Sequence, residues 1–277
     1  MGNKPQNIFF LVFVGTIVLL SIWGPEALSR CYDQKLFYTV RQQEVDAAEE
    51  GFRYELTASE KLFIFSRAVS SQNLPESEQS AITRPQSQEE YPEFTGTYAF
   101  IVNHQGPSGK ELTEEALYAS CNEQLSLLKQ EGILPESVLT VEPEWYDAVL
   151  YSAIDTYEPR NNVSVWKLSL STGLHNVNKE NRLTDAYIDA GSGKIIEFYV
   201  RTDCSWAELS PDQMIQAWSR YMELPLPEPA EEPNPLRETA SRYKKYAFPA
   251  SEDEYTVVTV GFYDGIRELF IAAGSRR

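Results

Sequence analysis

Residues 8–23 read IFFLVFVGTIVLLSIW, sixteen positions without a charge. No water-facing helix or strand tolerates such a run, so it belongs in lipid or inside a protein core. Extended over residues 24–28 it approaches the roughly 20 residues that cross ~30 Å of hydrocarbon, whereas the bare core has the length of a signal-peptide apolar region. Both readings export the rest of the chain. No small-x-small cleavage site closes the run, and Arg30 stands before Cys31 where lipoprotein processing requires a small residue. The sequence is therefore read as an uncleaved single-pass anchor over residues 1–30, with a cleaved signal, a lipoprotein and a buried helix as alternatives. Lys4 and the amino terminus on one side balance Arg30 and Lys35 on the other, so charge leaves the orientation open. The short tail before the run holds no domain, which puts the bulk of the chain outside the cytoplasm, at the cell membrane.

Composition removes several functional classes. Lys plus Arg total 24 against 41 for Asp plus Glu, a formal charge of -17, and a surface that acidic repels phosphate backbones. Nucleic acid is not an expected partner. The 277 residues include two histidines, His104 and His175, and three cysteines, Cys31, Cys121 and Cys204. That set starves most zinc sites, histidine-based triads and thiol-disulfide motifs of ligands, so no catalytic, cofactor-binding or metal-ligating residue is assigned and no cofactor is expected. With Cys31 next to the membrane, Cys121 with Cys204 is the candidate disulfide, and three free thiols are the alternative. Asn162-Val163-Ser164 matches a glycosylation acceptor, a tripeptide common by chance.

Along the chain, residues 32–71 have helical character. Thr57-Ala58-Ser59-Glu60 is a capping box ahead of LFIFSRAV. Residues 70–92 are rich in Ser, Gln, Glu and Pro and too polar to repay ordering. Together, residues 31–92 read as a juxtamembrane helical stalk and polar linker. Strand-like TGTYAFIVN at residues 95–103 precedes a Gly/Pro turn. A helix then starts at the N-cap Thr113 and stops at Gly132. Residues 144–157 and 162–171 are strands. Residues 183–201 form a hairpin, with Ala186, Ile188, Ile196, Phe198 and Val200 on a core face and Asp185, Tyr187, Asp189, Glu197 and Tyr199 on a wet one. Gly191-Ser192-Gly193-Lys194 is no phosphate loop. Ile188 replaces the first glycine, Ile195 the Ser or Thr, and a strand comes next where a helix is required. A second capping box at Ser210-Pro211-Asp212-Gln213 opens another helix. Five prolines then punctuate residues 224–235, and three strands complete the chain, with Asp264-Gly265 in the last turn.

The helix from Leu112, the strand VWKLSLS and the hairpin LTDAYIDAGSGKIIEFYVR resemble the PepSY-like domains of bacterial envelope proteins over residues 112–203. The match is best at Ala186-Tyr187-Ile188-Asp189-Ala190 and Gly193-Lys194-Ile195, with Ser192 in place of the usual Thr. The related cystatin-like layout also sets a helix on a curved sheet. The fold class this implies is α+β: an N-terminal transmembrane helix, then two cystatin-like units, each a helix packed on an antiparallel sheet. The units are a PepSY-like domain over residues 93–204 and a second helix-plus-sheet unit over residues 205–277. The resemblance implies a non-enzymatic regulatory module whose partner is an envelope protein: a peptidase, a cell-wall hydrolase or a membrane signalling protein. It carries over no catalytic residues, and Asp189, Gly193 and Lys194 are explained by turn chemistry.

Two other functional classes compete. One is a structural accessory subunit of an envelope or sporulation assembly, which is compatible with the same sequence features. The other is a carboxylate-based hydrolase using pairs such as Glu142 with Glu144 or Asp185 with Asp189, although 41 acidic residues make chance pairs common. Asp185 and Asp189 are four positions apart on a strand, about 13 Å, too far to share one metal unaided. His104 and His175 read as solvated loop residues. Trp145, Trp166, Trp206 and Trp218 are expected in the core before they are expected in a sugar or peptide platform.

Overall fold

A computed structural model describes residues 55–72, 98–171, 178–230, 240, 242–250 and 254–274. All of them lie in one compact unit, Glu50–Arg277. The apolar run at residues 8–23 and residues 73–92 of the expected linker lie outside the described residues, while residues 70–72 of that linker belong to a helix. Among the described residues no helix is long and apolar enough to cross a membrane.

The chain is α+β, with one large antiparallel sheet and three α-helices among the described residues. The order is α1 (Ala58–Gln72), β1 (Tyr98–Val102), α2 (Glu114–Gln130), β2 (Tyr146–Asp155), β3 (Asn162–Leu170), β4 (Leu183–Asp189), β5 (Ile195–Arg201), α3 (Pro211–Met222), β6 (Glu228–Ala230), β7 (Arg242–Pro249), β8 (Tyr255–Tyr263) and β9 (Glu268–Ala273). Short 3₁₀ turns, Pro143–Trp145 and Trp206–Glu208, precede β2 and α3.

Local chemistry sets the helix starts. Thr57 and Glu60 cap α1 reciprocally, with the Thr57 N–H donating to Glu60 Oε2 at 2.8 Å and the Glu60 N–H donating to Thr57 Oγ1 at 3.3 Å. Thr113 caps α2, accepting from the Ala116 N–H. Ser210 precedes Pro211 at the start of α3 but its side chain makes no cap hydrogen bond. The reciprocal box in that region belongs to Ser205 and Glu208 instead. Proline at the first helical position gives up one N–H that the helix leaves unpaired anyway, which lessens the need for a side-chain cap.

Nine strands form one sheet in the order β1-β2-β3-β4-β5-β9-β8-β7-β6. The residue 204/205 boundary falls just after β5, and β5 pairs with β9 from Phe198 opposite Ile271 to Arg201 opposite Glu268. The two helix-plus-sheet segments thus share backbone hydrogen bonds and a single main core. Helices α2 and α3 cover one face. There Trp166 Nε1 donates to the Leu112 carbonyl at 2.8 Å, and Trp218 packs edge-on to Phe248 with centroids 5.6 Å apart.

The opposite face holds α1. The sequence places this helix in a stalk, but Leu62, Phe65 and Ala68 are fully buried, and Phe63, Ile64, Ser66 and Val69 nearly so. A helix buried almost all round is a core helix. It packs on β1, β2 and β3 and also reaches β8 and β9, so the sheet wraps it from both flanks. Phe65 stands 6.1 Å from the Phe100 ring and 5.3 Å from the Tyr187 ring, and Phe100 stacks on Tyr151 at 4.6 Å. Consequently the hairpin has no wet face. Tyr187, Asp189, Glu197 and Tyr199 are all buried: α1 adds a second layer of protein over Tyr187 and Asp189, and Tyr199 lies in a separate cluster with Ala240, Phe270 and Ala272.

Toward β8, Phe270 lies flat over Gly261 and stacks between Tyr199 and Tyr263, with centroids 5.3 and 5.0 Å away. A Cβ at position 261 would overlap the Phe270 ring, so glycine is required there by close approach.

The test of α1 as core is Phe65→Ala. Removing a fully buried phenylalanine is expected to cost about 3–5 kcal/mol in urea unfolding. A helix standing off the domain would show almost no change.

Candidate functional site

Residues from four elements meet at the β4–β5 turn. Gly193 takes φ +76°, and the Gly193 N–H donates to the Asp189 carbonyl at 2.8 Å while the Asp189 N–H donates to the Lys194 carbonyl at 2.9 Å. A side chain at 193 would be strained by that backbone, and its Cβ would stand 2.7 Å from Ser120 Oγ of α2. The turn therefore fits against α2 only with glycine.

The Asp189 carboxylate points inward and is almost closed to water, with 7% of the side chain exposed. Its Oδ2 accepts from Lys61 Nζ of α1 at 2.8 Å and from Ser192 Oγ at 2.7 Å, and its Oδ1 accepts from the Gly191 N–H at 3.1 Å. A buried carboxylate needs this many donors to offset its lost hydration. Lys194, five residues on, pairs with Glu223 at 2.8 Å and lies 5.9 Å from the Tyr221 ring centroid. Glu223 ends α3 in the left-handed conformation, φ 60°, and the Lys194 hydrogen bond holds its carboxyl below the usual range. Tyr221 donates to Gln124 Oε1 of α2 at 2.8 Å and accepts from the Ile195 N–H at 2.7 Å. Burial pushes its phenol up, and the Ile195 hydrogen bond works against that. All three helices are thus tied to one six-residue turn. The sequence pattern points to Asp189, Gly193 and Lys194 but not to their partners Lys61, Tyr221 and Glu223, which lie on elements distant in the chain.

A second polar cluster closes the other end of β4. Arg182 lies 4.0 Å over the Trp145 ring, and the Tyr146 hydroxyl donates to the Leu183 carbonyl at 2.9 Å. The Tyr146 phenol is pushed up to about 12 by burial, with Arg182 opposing.

The other residues singled out by sequence are dispersed. Asp185 shares the inner face of β4 with Asp189 but accepts from Ser169 Oγ at 2.6 Å. Glu142 and Glu144 are exposed around the first 3₁₀ turn, and His104 is exposed in the turn after β1. His175 lies outside the described residues. Trp166 and Trp218 are buried, while Trp145 and Trp206 are partly buried and pack against the same core. Among the described residues no three of His, Cys, Asp and Glu gather as a metal site would require. Asn162 and Ser164 are in β3, with Ser164 buried.

Cys121 and Cys204 are free thiols, so the candidate disulfide is not formed. Cys121 is buried inside α2 among core side chains, whereas Cys204 is half-buried in the connection after β5. Compared with protein-family models, curated proteins and solved structures, the chain gives no match.

Lys61→Met leaves Asp189 buried with one donor fewer and is expected to cost about 1–3 kcal/mol in urea unfolding. In a double-mutant cycle the added cost of Asp189→Ala should be smaller in the Lys61→Met background than alone, and simple additivity would refute the coupling. Burial raises the Cys121 thiol from its ordinary 9.0 to about 12. The fold thereby favours the neutral form, and that contribution is complete below pH 9.0 and is lost as pH rises toward about 12. At neutral pH, peptide mass spectrometry after iodoacetamide should find Cys204 alkylated in the folded protein. Cys121 should react only after unfolding, without a reductant.

Proposed function

We propose that the chain is a membrane-anchored, extracytoplasmic binding module that regulates an envelope protein, such as a peptidase or a cell-wall hydrolase, without chemistry of its own. The observation that carries this reading is how the turn residues are used. Asp189, Gly193 and Lys194, the positions that resemble the PepSY-like hairpin, are engaged in holding α1, α2 and α3 to the sheet. Residues used that way stiffen a scaffold. Function then falls to exposed surface, as in a binding module.

The finer architecture belongs to the same proposal. Residues 1–30 form the anchor, and residues 93–204 and 205–277 are two cystatin-like units, the first PepSY-like, joined edge to edge through β5 and β9. The apolar run at residues 8–23 supports the anchor, since no charge interrupts it.

Photo-crosslinking tests the function in native membranes. Crosslinkers placed at exposed positions of the full-length protein are expected to capture a peptidase or hydrolase, and adding the purified protein is expected to change that enzyme's rate. Capture of a multiprotein assembly with no change in any hydrolytic rate would replace the regulator with an accessory subunit. Protease treatment of intact cells from outside should digest the domain; complete protection would overturn the extracytoplasmic placement.

A further inference from the structure

Among the described residues, the three most exposed large apolar side chains lie at one end of the sheet. Tyr157 is 78% exposed, Leu226 75% and Tyr255 59%. Every neighbouring pair of strands is antiparallel, so this end holds the β2–β3 turn with Tyr157, the start of β8 with Tyr255 and the approach to β6 with Leu226. It also holds the β4–β5 turn, where Lys61 of α1 meets Asp189, so α1 begins at the same end. Leu139 and Ile266, 45% and 46% exposed, are at the other end. Leu139 bonds to the Asn181 carbonyl just ahead of β4, and Ile266 lies between β8 and β9.

These side chains are carried on restrained backbone. Asp155 Oδ1 accepts from the Tyr157 N–H at 3.0 Å and from the Glu158 N–H at 3.3 Å, and the Asp155 N–H donates to the Asn161 carbonyl at 3.0 Å. Tyr157 thus stands on a closed turn. Leu226 lies between Pro225 and Pro227, whose rings restrict the chain, and Tyr255 opens β8 opposite Pro249. Little backbone freedom is left to lose on contact with a partner. Burial pushes the Tyr98 hydroxyl up, and the carboxylates of Asp155 and Glu254 add to the effect. The β2–β3 turn and the start of β8 therefore flank one hydroxyl, although they are far apart in strand order.

The chemistry of these tips selects the partner. Each belongs to a different element and is flanked in sequence by polar or proline residues. A protein interface centres on a packed core that excludes water, whereas a lipid headgroup layer admits such side chains singly. Tyrosine, with an apolar ring and a polar tip, favours that layer. The exposed Glu158 and Glu254 beside the tyrosines disfavour anionic headgroups. We propose that this end of the sheet docks on the surface of a zwitterionic lipid bilayer, with Tyr157 and Tyr255 in the headgroup layer and Leu226 inserted beside them. An anchor in the same bilayer makes the contact intramolecular, so single side chains suffice. Docking turns the end with Leu139 and Ile266 away from lipid, where a partner can meet it. The inference rests on the membrane-anchored binding-module reading and names how the module is oriented.

Lipid photo-crosslinking tests it in the full-length protein in phosphatidylcholine nanodiscs. Benzoylphenylalanine at 157, 226 or 255 is expected to form phospholipid adducts, read by mass spectrometry, in at least about tenfold higher yield than at 139 or 266. The double variant Tyr157→Glu, Tyr255→Glu alters exposed positions and is expected to lower the yield at 226 about tenfold, whereas Tyr157→Phe with Tyr255→Phe should keep most of it. Adding phosphatidylglycerol to the nanodiscs should lower the yield at all three positions. Yields at 157 and 255 no higher than at 139 and 266, a yield at 226 unmoved by the glutamates, or a rise with phosphatidylglycerol overturns the proposal.

The same positions in native membranes separate this proposal from the reading beneath it. Lipid adducts at 157, 226 and 255 with protein adducts at 139 or 266 support both. Protein adducts at 157, 226 and 255 without lipid adducts keep the binding module and overturn lipid docking. Lipid adducts there, with no protein captured from any exposed position, keep the docking and overturn the module. Failure of the full-length protein to enter nanodiscs overturns the anchor and the docking with it.

Discussion

The ion pair between Lys61 and Asp189 joins residues 128 apart in sequence and fixes the only helix on the inner face of the sheet, among the described residues, to the turn that the outer helices also grip. Asp189 is nearly closed to water, so its charge is tolerated only while Lys61, Ser192 and the Gly191 amide surround it. Those donors come from two elements, and they converge only when α1 lies in the curve of the sheet. A polar contact of this kind selects one arrangement of helix on sheet where apolar packing alone would accept several. Lys194, Tyr221 and Gln124 extend the same logic to the outer face.

Around this joint the core is continuous. Pairing of β5 with β9 carries the sheet across the junction between the two helix-plus-sheet segments, and side chains from both contribute to one main cluster. The stacked row Tyr199, Phe270 and Tyr263 spans three neighbouring strands on the inner face. Gly261 lets that row lie flat.

Much of the secondary structure was legible because it rests on local chemistry. The caps at Thr57 and Thr113, the hairpin through residues 189–194 and the turn at Asp264-Gly265 each depend on residues a few positions apart. Ser210 misled because its sequence satisfies the box pattern while Pro211 already opens the helix. LFIFSRAV was legible as a helix, yet nothing within it distinguishes a stalk from a core element, since both readings call for apolar residues. Alternation in the hairpin likewise separated two faces correctly but assigned water to one that is buried, under α1 at Tyr187 and Asp189 and in the aromatic cluster at Tyr199. For the candidate site, Asp189, Gly193 and Lys194 stood out through turn chemistry, whereas Lys61 and Tyr221 carry no local mark.

By itself the sequence determined the apolar run, the acidic surface, the helix starts and the tight turns, because each depends on composition or on contacts within a few residues. Tertiary structure alone decided that α1 is central, that β5 meets β9, that Cys121 and Cys204 stay apart as thiols, and that β1 is left at an edge. These outcomes depend on which distant surfaces meet, and burial and strand order are properties of the assembled chain rather than of any segment of it.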